Sequence, residues 1–370
     1  MASSSRLFEP LRIGSLNLSS RLIMAPLTRF RADGEHVPLP FVAEYYAQRA
    51  CVPGTLLITE ATFISPQAGG YPSVPGIYSQ PQIDAWKKIV DAVHEKGGYI
   101  YLQLWALGRA AKGAVLKQEG AGDVVSASDL PIEGGGDTPR PLTEEEIQQY
   151  IKDYAQAAKN AVHGAGFDGV EIHGANGYLV DQFLQDVSNK RTDAWGGSVE
   201  KRARFGIEVS KAVVEAVGAD KTGIRLSPWS TFQSMKMANP IPQFTYLLQE
   251  LKKLMLAYVH VVESRVSGNA DVESTEKNDF VFNLWDVSPV LTAGGFKPDS
   301  AKRFVDEEYK DKELGVVFGR YFISTPDLVY RIKNGLELQP YDRDTFYNPG
   351  KPEGYIDYPF SEEFKKEAKL

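Results

Sequence analysis

The sequence predicts a closed barrel of eight parallel strands with helices outside, an α/β architecture of the (β/α)8 kind spanning residues 1–370 as a single domain. Three observations predict it. Short β-branched runs recur eight times, each ending in a polar or glycine-rich turn. Segments of helical period separate them, and a chain of 370 residues is a length that such barrels use as one domain. The runs are mostly apolar, as strands buried on both faces must be. An open doubly wound sheet is the competing topology. It usually begins with a glycine-rich phosphate turn after its first strand, and none follows here.

In chain order, residues 6–20 (RLFEPLRIGSLNLSS) hold two short apolar runs around Gly14-Ser15 and predict a hairpin lid over the barrel's bottom. Strands follow at 21–28 (RLIMAPLT), 55–61 (TLLITEA), 99–105 (YIYLQLW) and 169–173 (GVEIH). The other four fall at 222–228 (TGIRLSP), 258–264 (YVHVVES), 289–295 (PVLTAGG) and 315–321 (GVVFGRY). Helical period covers 40–50, 81–96, 143–164, 199–217, 242–254, 298–309 and 325–335. Thr143 is a good N-cap, with acids at Glu144, Glu145 and Glu146 in the first turn. Pro81 and Pro326 stand where a first helical turn tolerates proline. Residues 106–142, with Pro131, Pro139 and Pro141, form a long excursion after the third strand. Loops after barrel strands lie on the catalytic face, so this one is expected to help roof the site.

Composition excludes several functions. The chain is 43% hydrophobic and 24% charged, ample for a core. A net charge of −7 and a pI near 5.5 argue against nucleic-acid partners or a basic membrane surface. Cys51 is the sole cysteine, which rules out an internal disulfide and a cysteine metal cluster, and no His/Asp/Glu spacing points to a metal. The opening MASSSRLFEP lacks an apolar signal region, and no run is long enough to span a bilayer. The expectation is a cytoplasmic protein, or a peroxisomal one, because Ala368-Lys369-Leu370 is a close variant of the Ser-Lys-Leu signal.

The chemistry gathers at the strand ends. Residues 167–183 (FDGVEIHGANGYLVDQF) carry His173, Asn176 and Tyr178 at the end of the fourth strand. A His and an Asn three positions apart supply two donors for one oxygen, and Tyr178 adds a proton to give. That is the outline of a site that reduces or protonates a polarised double bond. A satisfied His–Asn pair in a turn is the plainer alternative. Gly294, Gly295 and Gly319, with Arg320, form the phosphate site common after the last two strands of such barrels. A cofactor held there by its phosphate would lie across Thr28, Gln103 and Arg225, a set that suits a ring such as flavin. Arg225 inside an apolar strand calls for an anionic partner. Trp195 is read as packing, Tyr99, Tyr101 and Trp105 as core or pocket wall, and His94, His163 and His260 as structural or solvated.

The segments HGANGYL with DQFL, RTDAWGGSVEKRARF, QLWALGR, and DRDTFY with GYIDYP resemble the Old Yellow Enzyme family, with matching spacing from residue 7 to 360. The resemblance implies a TIM barrel that binds FMN non-covalently, takes hydride from NADPH and reduces activated alkenes. These would be α,β-unsaturated carbonyl or nitro compounds, with hydride going to Cβ and a proton to Cα. It places Pro26, Leu27, Thr28, Ala61, Gln103 and Arg225 around the flavin ring, and Gly294, Gly295, Gly319 and Arg320 on its phosphate. His173 and Asn176 would grip the substrate oxygen, Tyr178 would donate the proton, and Trp105, Phe232 and Tyr347 would line the substrate side. Ala61 replaces a glycine of many relatives, and Ala270, in a short loop after the sixth strand (RVSGNAD), falls where others place an aromatic. The stretches FRADGEHVPLPF and ITEAT resemble filamentous-fungal members, among them chanoclavine aldehyde reductases. The alternative function is therefore an isomerase or reductase of a fungal secondary-metabolite aldehyde such as chanoclavine aldehyde. Tyr178 favours a reductase over an isomerase. No strand end carries the lysine a Schiff-base aldolase needs, and a non-catalytic flavin carrier would not need the trio. The expected partners are small activated alkenes, with the chain a monomer or homodimer.

Overall fold

The computed structural model describes residues 5–268 and 270–369. Eight barrel strands are present: β1 Leu22–Met24, β2 Leu56–Ile58, β3 Tyr99–Trp105, β4 Gly169–Gly174, β5 Thr222–Leu226, β6 Tyr258–Val262, β7 Val290–Ala293 and β8 Leu314–Phe318. Every neighbouring pair is parallel. Ile23 sits opposite Leu56, Leu56 opposite Tyr99, and Val316 opposite Leu22, so β8 returns to β1 and the sheet closes. The sequence runs extend past several of these strands because their last residues, such as 25–28, have already turned onto the rim.

Eight helices follow the strands in turn: α1 Val42–Arg49, α2 Gln80–His94, α3 Glu144–Lys159, α4 Val199–Val217, α5 Ile241–Lys252, α6 Asp279–Leu284, α7 Pro298–Arg303 and α8 Leu328–Asn334. Thr143 caps α3 as expected, accepting from the Glu146 N–H while Glu146 reaches back to the Thr143 N–H. Three expectations need correction. α6 is six residues long, too short for its apolar period to stand out, and was missed. The predicted helices at 143–164 and 298–309 change to wider turns at Asn160–Ala165 and Phe304–Glu308. Pro326 lies before the N-cap Asp327, outside α8. Leu370, on which the Ala-Lys-Leu reading depends, lies outside the described residues.

The lower end of the barrel is closed by the hairpin of Leu11–Ile13 and Leu16–Leu18, antiparallel as expected. Leu11, Ile13 and Leu18 are at most 1% exposed and pack on Ile23, Leu56, Ile58 and Leu291 of the barrel interior. Burying each such side chain contributes about 1.5–3 kcal/mol. Gly14 makes the turn with φ +54, where an added Cβ would come 1.9 Å from the Asp220 carbonyl oxygen, so only glycine fits.

At the other end a strap formed by residues 341–357 lies along the rim. Arg29, Arg31 and Arg49, each 1% exposed, hold it by donating to backbone carbonyls. Arg29 reaches Phe346 at 2.9 Å and Gly354 at 2.7 Å, and Arg31 reaches Lys351 at 2.9 Å. Arg49 donates to Phe322 at 2.8 Å and to Tyr355 at 3.2 Å. Tyr355 stacks on Tyr45 with ring centroids 3.9 Å apart. Burying three guanidiniums is costly, so the carbonyls and rings that receive them are what make the strap stable.

Candidate active site

A cavity of about 1080 Å³ opens at the C-terminal ends of the strands. It exceeds the range of about 300–1,000 Å³ usual for one small ligand and has room for a cofactor with a substrate. Every site residue named from the sequence lines it. The turn after β1 brings Pro26, Leu27 and Thr28, and β2's extension brings Ala61. Gln103 and Trp105 come from β3, His173 from β4, Asn176 and Tyr178 from the turn beyond it, and Arg225 from β5. Gly294, Gly295, Gly319 and Arg320 form one wall, with Phe232 and Tyr347 at the mouth. Of the excursion at 106–142, Lys112 alone among the described residues reaches the cavity, its ammonium 5.7 Å from the Tyr71 ring. The strap, through Phe346, Tyr347 and Pro349, forms more of the rim than the excursion does.

The turn carrying the trio is pinned from three sides. Asn176 has φ +58, and its N–H donates to Ser227 Oγ at 2.7 Å while its carbonyl accepts from Gln233 Nε2 at 2.8 Å. The Gly177 N–H donates to Asp181 Oδ2 at 2.9 Å. Gly177 itself has φ +75, and a Cβ there would meet Met235 at 2.8 Å and Gln233 at 2.9 Å. His173 packs edge-on against Tyr178 at 4.9 Å, and Tyr178 stands perpendicular to Trp105 at 4.8 Å.

The protonation states follow from burial. Burial, with Arg225 and His260 adding to it, holds His173 well below the ordinary imidazole value, so the ring is neutral. Burial raises the Tyr178 phenol well above its usual value, with Tyr71 and Tyr347 adding to the rise, so it keeps its proton. Burial also lowers Arg225, against the opposing pull of Glu171. Arg320 is raised, chiefly by its bonds to Asp271 at 2.5 and 2.9 Å.

Sequence reasoning missed the layer just beneath. Glu171, fully buried, accepts from Gln103 Nε2 at 2.7 Å, from Tyr258 Oη at 3.0 Å and from His260 Nδ1 at 2.9 Å. His260, left open as structural or solvated, is a buried member of this network. The available signal was the period of two in GVEIH, which puts Glu171 on the same inward face as His173. Arg265 was also missed. It lies beside the glycine wall, 4.5 Å from the Phe296 ring, and donates to the Gly294 carbonyl. Trp195 packs as expected, bonding Glu144 at 2.5 Å under the Arg204 guanidinium.

Three buried polar atoms on the cavity wall, Trp105 Nε1, His173 Nδ1 and Arg225 Nε, have no partner among the described residues. The three residues also line the cavity, so a polar ligand there would meet an indole, an imidazole and a guanidinium. The carbonyl-rich ring of a flavin over Arg225, and a phosphate at Arg320, match that chemistry.

The sequence model of the NADH:flavin oxidoreductase / NADH oxidase family matches residues 6–339. The chain belongs to this FMN-dependent family. Fungal proteins are among its relatives. It is 60% identical over 363 residues to chanoclavine-I aldehyde reductase fgaOx3 of Penicillium roqueforti (strain FM164), covering 98% of each chain. It is 54% identical over 374 residues to probable inactive reductase easA of Epichloe festucae var. lolii, covering 99% of this chain and 98% of that one. The crystal structure of Old Yellow Enzyme from Pichia sp. AKU4542 superposes with a TM-score of 0.89 at 42% identity, over 97% of this chain and 94% of that one. As a family member the chain is an NAD(P)H-dependent oxidoreductase with FMN as cofactor and NADPH as hydride donor. Among the described residues no helix is long and apolar enough to cross a membrane, and no His/Cys/Asp/Glu group could hold a metal.

Proposed function

We propose that this family member reduces the polarised C=C bond of α,β-unsaturated carbonyl or nitro compounds. When bound, FMN supplies a two-electron hydride carrier between NADPH and the alkene. Pro26, Leu27, Thr28, Ala61, Gln103 and Arg225 would hold its ring, and Gly294, Gly295, Gly319 and Arg320 its phosphate. His173 and Asn176 donate to the substrate's oxygen, polarising the alkene and carrying the negative charge that gathers there. A neutral His173 suits that role as a hydrogen-bond donor. Tyr178, kept protonated by burial, delivers the proton to Cα. Trp105, Phe232 and Tyr347 shape the substrate's side of the cavity. The observation that carries this reading is the convergence of the trio on one cavity, beside three buried polar atoms without partners among the described residues.

A more specific reading is that the physiological substrate is a fungal secondary-metabolite aldehyde such as chanoclavine-I aldehyde. The relative named for that reduction supports it. One domain acting as a monomer or homodimer, cytoplasmic or directed to the peroxisome by Ala-Lys-Leu, completes the proposal. Microscopy of the tagged chain with and without its last three residues tests the address, and a cytosolic signal from both refutes the peroxisomal one.

The function is tested by purifying the chain, counting FMN and following NADPH oxidation with cyclohexenone. A yellow protein with one FMN per chain and enone-dependent turnover is expected. A colourless chain that cannot be reconstituted, or a loaded one inert toward every enone, nitroalkene and unsaturated aldehyde offered, refutes it.

A further inference from the structure

Glu171 is a carboxylate at the centre of a barrel whose lower interior is aliphatic and aromatic. Removing such a charge from water costs several kcal/mol, and a well-packed apolar residue in its place is often as stable or more so. Its presence therefore calls for a role other than stability. Its partners indicate one. Oε1 accepts from the Gln103 amide of β3, and Oε2 accepts from both Tyr258 and His260 of β6. In register, Glu171 lies opposite Gln103 and Gly223, while Arg225, one inward position further along β5, lies opposite His173 and His260. Gly223 leaves the space that the Tyr258 ring fills, 2.4 Å from where a Cβ would stand.

Two consequences follow for the cavity floor. A carboxylate accepts only, so the Gln103 atom facing it must be the NH₂. The amide oxygen is then left as the acceptor available to the cavity, which selects a ligand N–H at that point. The carboxylate also lies close enough to Arg225 to act on its charge. Arg225 is a buried cation on the cavity wall, and its Nε has no partner among the described residues.

We propose that Glu171 is a positioning residue that sets the electrostatics of the FMN site. It fixes Gln103 with its oxygen toward the cavity and offsets the Arg225 charge, so that FMN reduction is held to a moderate potential. The inference rests on the flavin reading above and goes beyond it, since Glu171 touches neither cofactor nor substrate. Removing the carboxylate leaves Arg225 uncompensated, which favours the more negative, reduced cofactor.

The test is the reduction potential of the FMN-loaded Glu171→Gln and Glu171→Asp variants against the native chain, with melting curves to establish folding. For Glu171→Gln the preference for reduced over oxidised FMN should rise at least tenfold, a positive shift of about 30 mV for a two-electron couple. Glu171→Asp, which keeps the charge, should stay close to native. If Glu171→Gln does not fold, Tyr258→Phe and His260→Leu are measured, each removing one bond to the carboxylate. Each leaves more negative charge on the carboxylate, so both should shift the potential the opposite way, by less than tenfold in that preference. A folded, FMN-loaded Glu171→Gln with the native potential overturns the proposal, as does an unmoved potential in both substitutes. A native chain that binds no FMN instead refutes the flavin reading itself, and this inference with it.

Discussion

The two ends of the barrel are built from the same eight strands and have opposite chemistry. At the lower end Leu11, Ile13 and Leu18 of the hairpin meet Ile23, Leu56, Ile58 and Leu291, an apolar plug. At the upper end imidazole, guanidinium, indole, amide and phenol groups crowd one cavity, and three of their buried nitrogens have no partner among the described residues. The lower end gains stability from every side chain it buries. The upper end leaves polar groups unsatisfied, at about 1–3 kcal/mol each. The barrel tolerates the second because of the first. Changes below should therefore be felt in stability, and changes above in chemistry.

The sharpest break of that division is Tyr178→Phe. Alkene reduction should fall about 10²–10⁴-fold, the usual worth of a positioned proton donor, while melting stays near native. In stopped flow the FMN-loaded variant should still oxidise NADPH at close to the native rate, and equal loss in both phases would count against the role. Ile13→Ala, at the lower end, should do the reverse. It should destabilise by about 2–5 kcal/mol in denaturant titrations, with turnover per folded molecule unchanged. A loss of turnover that outruns the loss of fold would show the two ends to be coupled. His173→Ala should lower enone reduction about 10²–10³-fold and weaken phenolic ligands, again with little effect on melting.

The smallest expected effect crosses the division. Burial lifts the Asp181 carboxyl to about 7, against the bonds it accepts from Gln185 and Gly177. Burial likewise lifts Glu60 to about 7, opposed by its bond from the Arg29 N–H. Between the ordinary carboxyl value and that value, the folded chain holds protons that the unfolded chain has lost. The contribution of these two carboxyls should therefore fall as pH rises through that window and level off above it, opposed at its lower end by the buried His173 and His260. Asp181→Asn should flatten part of the slope in melting curves taken from pH 5 to 8. An unchanged slope would mean that Asp181 is ionised in the fold.

Much of this was legible in the sequence because strands buried on both faces read as unbroken apolar runs, and their C-terminal turns as glycine and polar residues. All eight strands, the hairpin, the His173/Asn176/Tyr178 trio and Thr28, Gln103, Arg225 and the glycine wall came through that way. What was hidden depends on register. Gln103, Glu171, Tyr258 and His260 meet only once β3, β4 and β6 have closed into one barrel, and no local pattern joins positions so far apart. How the strap is anchored was hidden for a different reason. Its arginines donate to backbone carbonyls, and a carbonyl has no signature in a sequence. Tyr347 reached the cavity list through family resemblance alone, and it sits half-exposed at the mouth against Phe30.

The strap also imposes an order on the making of the molecule. Arg29 leaves the ribosome early, and one of its acceptors, the Gly354 carbonyl, lies 325 residues further along. At about 5–20 residues per second that interval is roughly 16–65 s. Throughout it Arg29, Arg31 and Arg49 have no strap carbonyls to bind and must stay hydrated. The rim that Tyr347 helps to form is therefore the last part of the cavity to be assembled. A chain released before residue 341 would carry all eight strands but lack the strap that forms part of the mouth.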